Sequence, residues 1–191
     1  MPAPAATAAT AATATGRPAG YTAAQIVLHW AIAALIVIQL VLGEDMAPAW
    51  RAFRRGTDAS ADDLFNADIH VYIGLAVLAL AAIRFGIRLV HGVPLLPAQE
   101  NRWLKVLAHT VHGLLYLFMF GMPLSGVAAW YFGIAPAAEV HELAKPLIIG
   151  AVVLHAVGAL YQHFVLRSDV LTRMVRPERR KAHGWVGQVS R

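Results

Sequence analysis

The chain has 191 residues, of which 58% are hydrophobic and 14% are charged, and its mean hydropathy is +0.56. Soluble domains carry about 25% charged residues, so this composition indicates a protein that is solvated by lipid. The absence of cysteine excludes disulfides, iron–sulfur clusters, covalently attached haem and thiolate zinc sites. The net charge of +5 does not indicate nucleic acid, because the basic residues of membrane proteins gather in cytoplasmic loops and tails.

The first 43 residues divide into a leader and a membrane span. Residues 1–20 are mainly Ala, Thr and Pro, without the basic and apolar regions of a signal peptide. Because they offer little apolar surface to bury, they predict a disordered leader. Residues 24–43 contain no Asp, Glu, Lys or Arg. At about 1.5 Å per residue this stretch covers a hydrocarbon core about 30 Å thick, so it predicts the first span.

A polar segment with three arginines and five acids, residues 44–65, leads to the second span at residues 69–90. The only charged residues of this span are Arg84 and Arg88, which lie near one end, where long side chains can reach the interface.

The third and fourth spans are predicted from an uncharged stretch that is too long for one helix. Residues 106–138 contain no charge, and the prolines and glycines at 123, 126, 133 and 136 predict a span that ends near Ala128 and continues as a loop. Residues 146–166 predict the fourth span, with Pro146 in its first turn.

These spans predict an all-α, integral membrane four-helix bundle over residues 21–176, followed by a basic tail at 177–191. Twelve of the 16 Lys and Arg residues lie on the side that carries the two termini. This excess predicts that both termini are cytoplasmic. The basic run 176–181 favours contact with anionic lipids of the membrane surface.

Histidines are the main candidates for ligands. Burying an ionisable group in a span is costly, so each needs a partner or a function, and the simpler interpretation is a hydrogen bond to a neighbouring helix. Those within or at the edges of spans are His29, His70, His109, His112, His141 and His155.

The spacing of the histidines predicts two pairs. His141 and His155 are 14 residues apart, which places them within about 40° of the same helix face and about 21 Å apart along the axis. The first span runs from the inside to the outside, with His29 near its inner end. The second span runs from the outside to the inside, with His70 near its outer end. The matching depths therefore predict the pairs His29–His155 and His70–His141.

Two stacked histidine pairs suit two b-type haems. Iron porphyrin takes two axial imidazoles, and its apolar ring fills the space between the helices of a bundle. Zinc would prefer three or four protein ligands, and a transporter would more often show acidic residues in its spans, which contain none. Gly74 and Gly158 lie near proposed ligands, where they favour either a close porphyrin or ordinary helix packing.

Several stretches in order resemble the bacterial cytochrome b561 family, within the broader group that includes the cytochrome b subunits of nickel hydrogenases. They are YTAAQIVLHW from Tyr21, IHVYIG from Ile69, LAHTVHGLLY from Leu107, HE at His141, LHAVGALYQHF from Leu154 and LRSDVLTRM from Leu166. The resemblance covers roughly residues 21–176. It implies a diheme, quinone-linked electron carrier with axial ligands at His29, His70, His141 and His155.

A quinone site is predicted near the inner surface. His109 and His112 share one side of the third helix, where they could hold haem propionates, flank a quinone or, the reading we favour, bond between helices. His163 and Gln162, beside Arg102 and Lys105 in the second loop, could bond and protonate a quinone such as ubiquinone, although a solvated interface would explain them as well.

Three functions remain open from the sequence. The first is electron transfer between ubiquinone and an outer-side partner, with superoxide as one candidate, because basic residues at 51, 54, 55 and 145 could attract an anion. Acidic residues at 44, 45, 58, 62, 63, 139 and 142 surround them and weaken that case. The second is a quinol-oxidising relay subunit that passes electrons to a periplasmic redox protein. The third is a histidine-rich transporter or structural bundle without redox activity.

Overall fold

The computed structural model describes residues 18–95 and 101–178, and within these ranges it is helical without strands. Most of the predicted leader and of the predicted basic tail lies outside the described residues. The helices are α1 (Ala23–Leu42), a 3-10 helix (Gly43–Met46), α2 (Ala47–Arg55), α3 (Ala61–His91), α4 (Arg102–Phe132), α5 (Ala135–Phe164) and α6 (Val170–Arg173).

The prediction of an all-α membrane protein with four spans is confirmed. Four helical segments of the described chain are long and apolar enough to cross a membrane: α1 with its continuation to Arg55, α3, α4 and α5. The helix of the second span begins well before the predicted residue 69, because Ser60 caps it. The Ser60 hydroxyl accepts a 3.1 Å hydrogen bond from the Asp63 amide, and acidic residues in the first turn favour this helix end.

The predicted boundary between the third and fourth spans is wrong. The third helix does not end near Ala128, because α4 runs through Pro123 to Phe132, and α5 begins at Ala135. Gly133, with a φ of +65°, ends α4 in the left-handed conformation that glycine adopts readily. Pro146 lies inside α5 rather than in its first turn, which a membrane helix tolerates. His141 is therefore part of α5.

Alanines make up about half of the buried apolar residues in the described bundle, whereas many large apolar side chains are exposed. Helix α1 packs on α3, α3 on α4, and α4 on α5. Ala67 and Ala81 of α3 are fully buried, whereas Val90 is 80% exposed and Leu143 is 71% exposed. Small residues let membrane helices approach closely, and exposed large apolar side chains are suited to lipid.

The end of the bundle that carries both described termini is here called the inner end, following the predicted orientation. The Glu178 amide donates to the Tyr21 carbonyl at 3.0 Å, and the Trp30 indole donates to the Met174 carbonyl at 2.8 Å. Arg173 of α6 donates to the Leu95 carbonyl at 3.0 Å. The segment around α6 is therefore tied across the inner ends of α1 and α3.

The opposite end, here called the outer end, is covered by α2. Trp50 and Phe53 of α2 stack with ring centres 5.4 Å apart, and Phe53 lies 5.9 Å from the ring of Trp130 at the end of α4. Lys145 of α5 forms an ion pair with Glu44 of the 3-10 helix. These contacts connect α2 and the 3-10 helix to the outer ends of α4 and α5.

Candidate functional site

Two pairs of histidines face each other between α5 and its neighbours. At the inner end, the ring centres of His29 and His155 are 6.0 Å apart, with an angle of 67° between the ring planes. At the outer end, His70 and His141 are also 6.0 Å apart, at 66°. All four side chains are half-buried. The structure thus brings together the pairs expected from the sequence, here called the inner pair and the outer pair.

The separation within each pair fits two axial ligands of one iron ion. Metal–imidazole bonds are about 2 Å long, and with each ring centre about 1 Å behind its nitrogen, the two centres lie about 6 Å apart. The backbone of α5 lies close to that of α4. Among the described residues, few positions of α5 lie close to the backbones of α1 and α3. The helices that carry the paired rings are therefore spaced more widely than α4 and α5.

The outer pair lines a cavity of about 460 Å³, within the range of about 300–1,000 Å³ that is usual for small-molecule and cofactor sites. Trp50 and Trp130 cover it at the outer end, and Lys145 lies at its rim. The His141 Nδ1 atom lies 2.9 Å from the Met122 carbonyl oxygen. Because Nδ1 is used in this way, Nε2 is the nitrogen that suits a metal.

At Gly74 the contacts favour helix packing, one of the two interpretations considered in the sequence analysis. A Cβ atom at this position would lie 3.2 Å from Gln39 Nε2, and Gln39 Nε2 donates a 2.7 Å hydrogen bond to the His70 carbonyl. Gly74 therefore makes room for Gln39 on α1. At Gly158 an added Cβ would meet no protein atom within 4 Å, so the role of Gly158 beside a porphyrin stays a prediction.

A third imidazole lies beside the inner pair, and a cation lies one helical turn from it. The His112 ring centre lies 5.0 Å from that of His155. Arg84 of α3 donates to the Gln25 carbonyl, which lies one helical turn before His29 on α1. One turn further along α3, the Arg88 guanidinium lies 5.5 Å from the centre of the Tyr116 ring.

Both histidines of α4 bond within their own helix. His109 Nδ1 lies 2.6 Å from the Lys105 carbonyl oxygen, and His112 Nδ1 lies 2.6 Å from that of Ala108. The sequence analysis favoured hydrogen bonds between helices, but the Nδ1 atoms of His109 and His112 bond within α4. An i−4 carbonyl accepts from each ring, so His112 is held with its ring beside His155.

The other candidates for the quinone site lie at the inner end. His163 stacks edge-on against Phe164 at 4.8 Å, and its Nδ1 atom is buried without a hydrogen-bond partner among the described residues. Gln162 accepts a 3.0 Å hydrogen bond from the Ser168 hydroxyl. Arg102 is the first residue of α4, with its guanidinium 5.6 Å from the Trp103 ring. Arg102 and Lys105 therefore lie on a helix and not in the predicted loop.

Sequence reasoning missed Gln39 and Ser125, the polar side chains that contact the outer pair. Ser125 Oγ lies 3.1 Å from His141 Nδ1, and Gln39 bonds the main chain of His70. Both are uncharged polar residues within long apolar segments, a signal comparable to that of the histidines.

Four membrane-spanning helices with two facing histidine pairs define the class of membrane-bound b-type cytochromes. The chain matches the family described as prokaryotic cytochrome b561 over residues 20–177. It belongs to this family. The resemblance seen in the sequence is thereby confirmed, and with it a multi-pass bacterial membrane protein of electron transport that has haem b as its cofactor.

Three relatives align along nearly their whole length. Cytochrome b562 of Cereibacter sphaeroides is 40% identical over 158 residues, which cover 83% of this chain and 96% of the relative. The probable superoxide oxidase CybB of Yersinia pestis is 29% identical over 182 residues, 84% of this chain and 97% of the relative. Cytochrome b561 homolog 1 of Escherichia coli K12 is 25% identical over 176 residues, 81% and 96% respectively.

Proposed function

We propose that this cytochrome carries electrons across the bacterial inner membrane through two haems b, between ubiquinone and an outer-side partner. The observation that carries the proposal is the presence of two imidazole pairs with the same 6.0 Å separation at two depths of α5. Haem b, when bound, supplies a one-electron carrier whose iron takes two axial imidazoles.

The four paired histidines supply the axial ligands in this proposal. His29 and His155 would hold the inner haem, and His70 and His141 would hold the outer haem. Among the described residues, no group of three or more His, Cys, Asp or Glu side chains is arranged to hold a metal ion. This donor set supports two-ligand haem sites rather than a zinc site with three or four protein ligands.

The arrangement of the pairs along α5 supports transfer between the two sides of the membrane. The 14 residues from His141 to His155 correspond to about 21 Å along the helix axis. This distance spans much of a hydrocarbon core about 30 Å thick. With haem bound at both pairs, an electron that entered at the outer pair would be delivered near the inner surface.

Quinone is proposed to bind at the inner end beside His163. Reducing ubiquinone takes two electrons and two protons, and imidazole suits proton delivery near neutral pH. The buried Nδ1 of His163 has no protein partner among the described residues, so a quinone carbonyl could bond it. Gln162, Arg102 and Lys105 complete the candidate set, and His109 and His112 are the alternative titratable groups.

Superoxide is the outer-side substrate that we propose first. Two superoxide ions would give up one electron each and leave as O₂, and the two electrons would reduce one ubiquinone. Arg51, Arg54 and Arg55 are exposed on α2, where they can attract an anion. One relative is named a probable superoxide oxidase, which supports this choice.

The second candidate is a relay that oxidises quinol and passes electrons to a periplasmic redox protein. It is favoured by the ion pair between Lys145 and Glu44 at the cavity rim, since this pair compensates one of the four outer cations. An outer surface with less positive charge is less suited to attract a small anion and more suited to a basic protein partner.

The test combines a haem count with rapid kinetics. A pyridine haemochrome assay on the purified protein should give about two haems b per chain, and fewer than one would overturn the diheme proposal. Stopped-flow mixing with superoxide should then reduce the haems, and added ubiquinone should reoxidise them. Reduction by ubiquinol but not by superoxide would favour the relay.

A further inference from the structure

The segment 122–126 of α4, with the sequence MPLSG, directs three features at His141 of the neighbouring helix. The Met122 carbonyl oxygen lies 2.9 Å from His141 Nδ1, and the Ser125 hydroxyl oxygen lies 3.1 Å from the same atom. Gly126 has no side chain where a Cβ would lie 3.3 Å from His141 Cε1. In the sequence, Pro123 and Gly126 suggested the approach to a helix end, whereas the structure places them in mid-helix against a proposed ligand.

The hydrogen bonds of this segment are mutually consistent. If His141 binds iron through Nε2, its Nδ1 carries the proton and must donate. The Met122 carbonyl and the Ser125 oxygen are both in reach, and the Ser125 hydroxyl donates its own proton to the Met122 carbonyl at 2.9 Å. A ligand histidine that donates its second N–H to such an acceptor is held in orientation and becomes a more basic ligand.

The opposite ligand of the outer pair lacks this support. His70 Nδ1 is buried and has no hydrogen-bond partner among the described residues. The nearby Gln39 bonds only the His70 carbonyl in the main chain. The two imidazoles of the outer pair are therefore unequal, since Nδ1 of His141 has polar neighbours and Nδ1 of His70 has no hydrogen-bond partner among the described residues.

We infer that residues 122–126 form a cradle that fixes the ring plane of His141 and lowers the reduction potential of the outer haem, with Ser125 as a positioning residue. The inference rests on the proposed ligation of haem by His141. A more basic axial imidazole stabilises the oxidised iron, so the cradle acts in the direction of a lower potential. The restraint on the ring also keeps the 66° angle between the ring planes of His70 and His141.

The test uses Ser125→Ala, measured by potentiometric titration and by the low-spin electron paramagnetic resonance signal of the oxidised protein. Loss of the hydroxyl removes one acceptor from His141 Nδ1 and loosens the ring. The potential of the outer component should rise and its resonance signal should shift, while the inner component stays unchanged. Ser125→Thr keeps the hydroxyl and should restore both values towards those of the wild type.

A second variant tests the role of the glycine without removing a hydrogen bond. Gly126→Ala places a methyl group against the His141 ring and should shift the outer resonance signal by turning the ring. Gly121→Ala is the matched control on the same helix, because an added Cβ there meets no protein atom within 4 Å. The control should leave both haem signals in place.

The outcomes separate this inference from the proposed function. If His141→Ala removes the outer component but Ser125→Ala and Gly126→Ala leave its potential and resonance signal unchanged, the cradle is disproved and the ligation stands. If His141→Ala retains both haems with unchanged spectra, the proposed ligation itself fails. A shifted outer component in Ser125→Ala, with recovery in Ser125→Thr, supports the cradle.

Discussion

The inner and outer histidine pairs have the same geometry but different surroundings. Both have ring centres 6.0 Å apart and ring planes at 66° to 67°. The outer pair contacts uncharged polar groups, the Ser125 hydroxyl and the Met122 carbonyl. The inner pair lies beside His112, and Arg84 donates to the Gln25 carbonyl one helical turn before His29.

This difference suggests how two sites with the same pair of imidazoles can have different reduction potentials. A nearby cation stabilises the form that carries the extra electron, and it does so strongly where the local dielectric constant is low. The outer site has Lys145, but its charge is compensated by Glu44. We therefore expect the inner haem to have the higher potential, which favours electron flow from the outer end towards the inner end.

The largest effect is expected when a paired histidine is removed. Replacing His29, His70, His141 or His155 by Ala should reduce the haem content from about two to about one per chain, because six-coordinate binding needs both imidazoles. A pyridine haemochrome assay measures this content. His91→Ala is the control, since His91 is exposed at the end of α3, and it should keep the full content.

The next effect concerns only the inner end. His163→Ala should leave both haem spectra intact and slow electron exchange with ubiquinone by about 10²-fold or more, the usual scale for the loss of a proton-transfer group. Stopped-flow reoxidation by quinone measures the rate, with His91→Ala again as the control. Unchanged kinetics would assign His163 to the interface and direct attention to His109 and His112.

A smaller effect should distinguish the electrostatics of the two pairs. Arg84→Gln removes a half-buried cation near the inner pair and should lower the potential of the inner component alone. Arg51→Gln, on the exposed face of α2, is the matched control and should leave both potentials unchanged. A shift confined to the outer component in Arg84→Gln would contradict the proposed difference between the sites.

The smallest effect is expected at the outer rim. Glu44→Gln leaves the charge of Lys145 uncompensated and should raise the rate of haem reduction by superoxide by less than about tenfold. The gain should disappear at high salt, because exposed charges are screened. Lys145→Met should change the rate in the opposite direction. Equal rates in both variants would argue against attraction of an anion at this rim.

The fold and the histidine pairs could be predicted because strong constraints determine them. Four apolar segments of about 20 residues or more predict membrane helices, because a helix satisfies its own backbone hydrogen bonds in lipid. The spacing from His141 to His155 places both on one face of a helix, and the direction of each span then selects His70 and His29 as partners. Histidines at the same depth in the membrane could therefore be paired without knowledge of how the helices pack.

The surroundings of the pairs were harder to predict. Pro123 and Pro146 signal helix ends in soluble proteins, but both lie inside membrane helices here because the bundle tolerates proline. The Met122 carbonyl is a backbone group, so no residue type reveals its contact with His141. Ser125 and Gln39 did carry a signal, since they are polar residues in apolar spans.

The central claim is that the two pairs hold separate haems, and a redox titration of the four single histidine variants tests it most directly. His29→Ala and His155→Ala should lose the same redox component, and His70→Ala and His141→Ala should lose the other one. The retained component should keep its low-spin spectrum in each case. Loss of the same component in His29→Ala and His70→Ala would contradict the pairing.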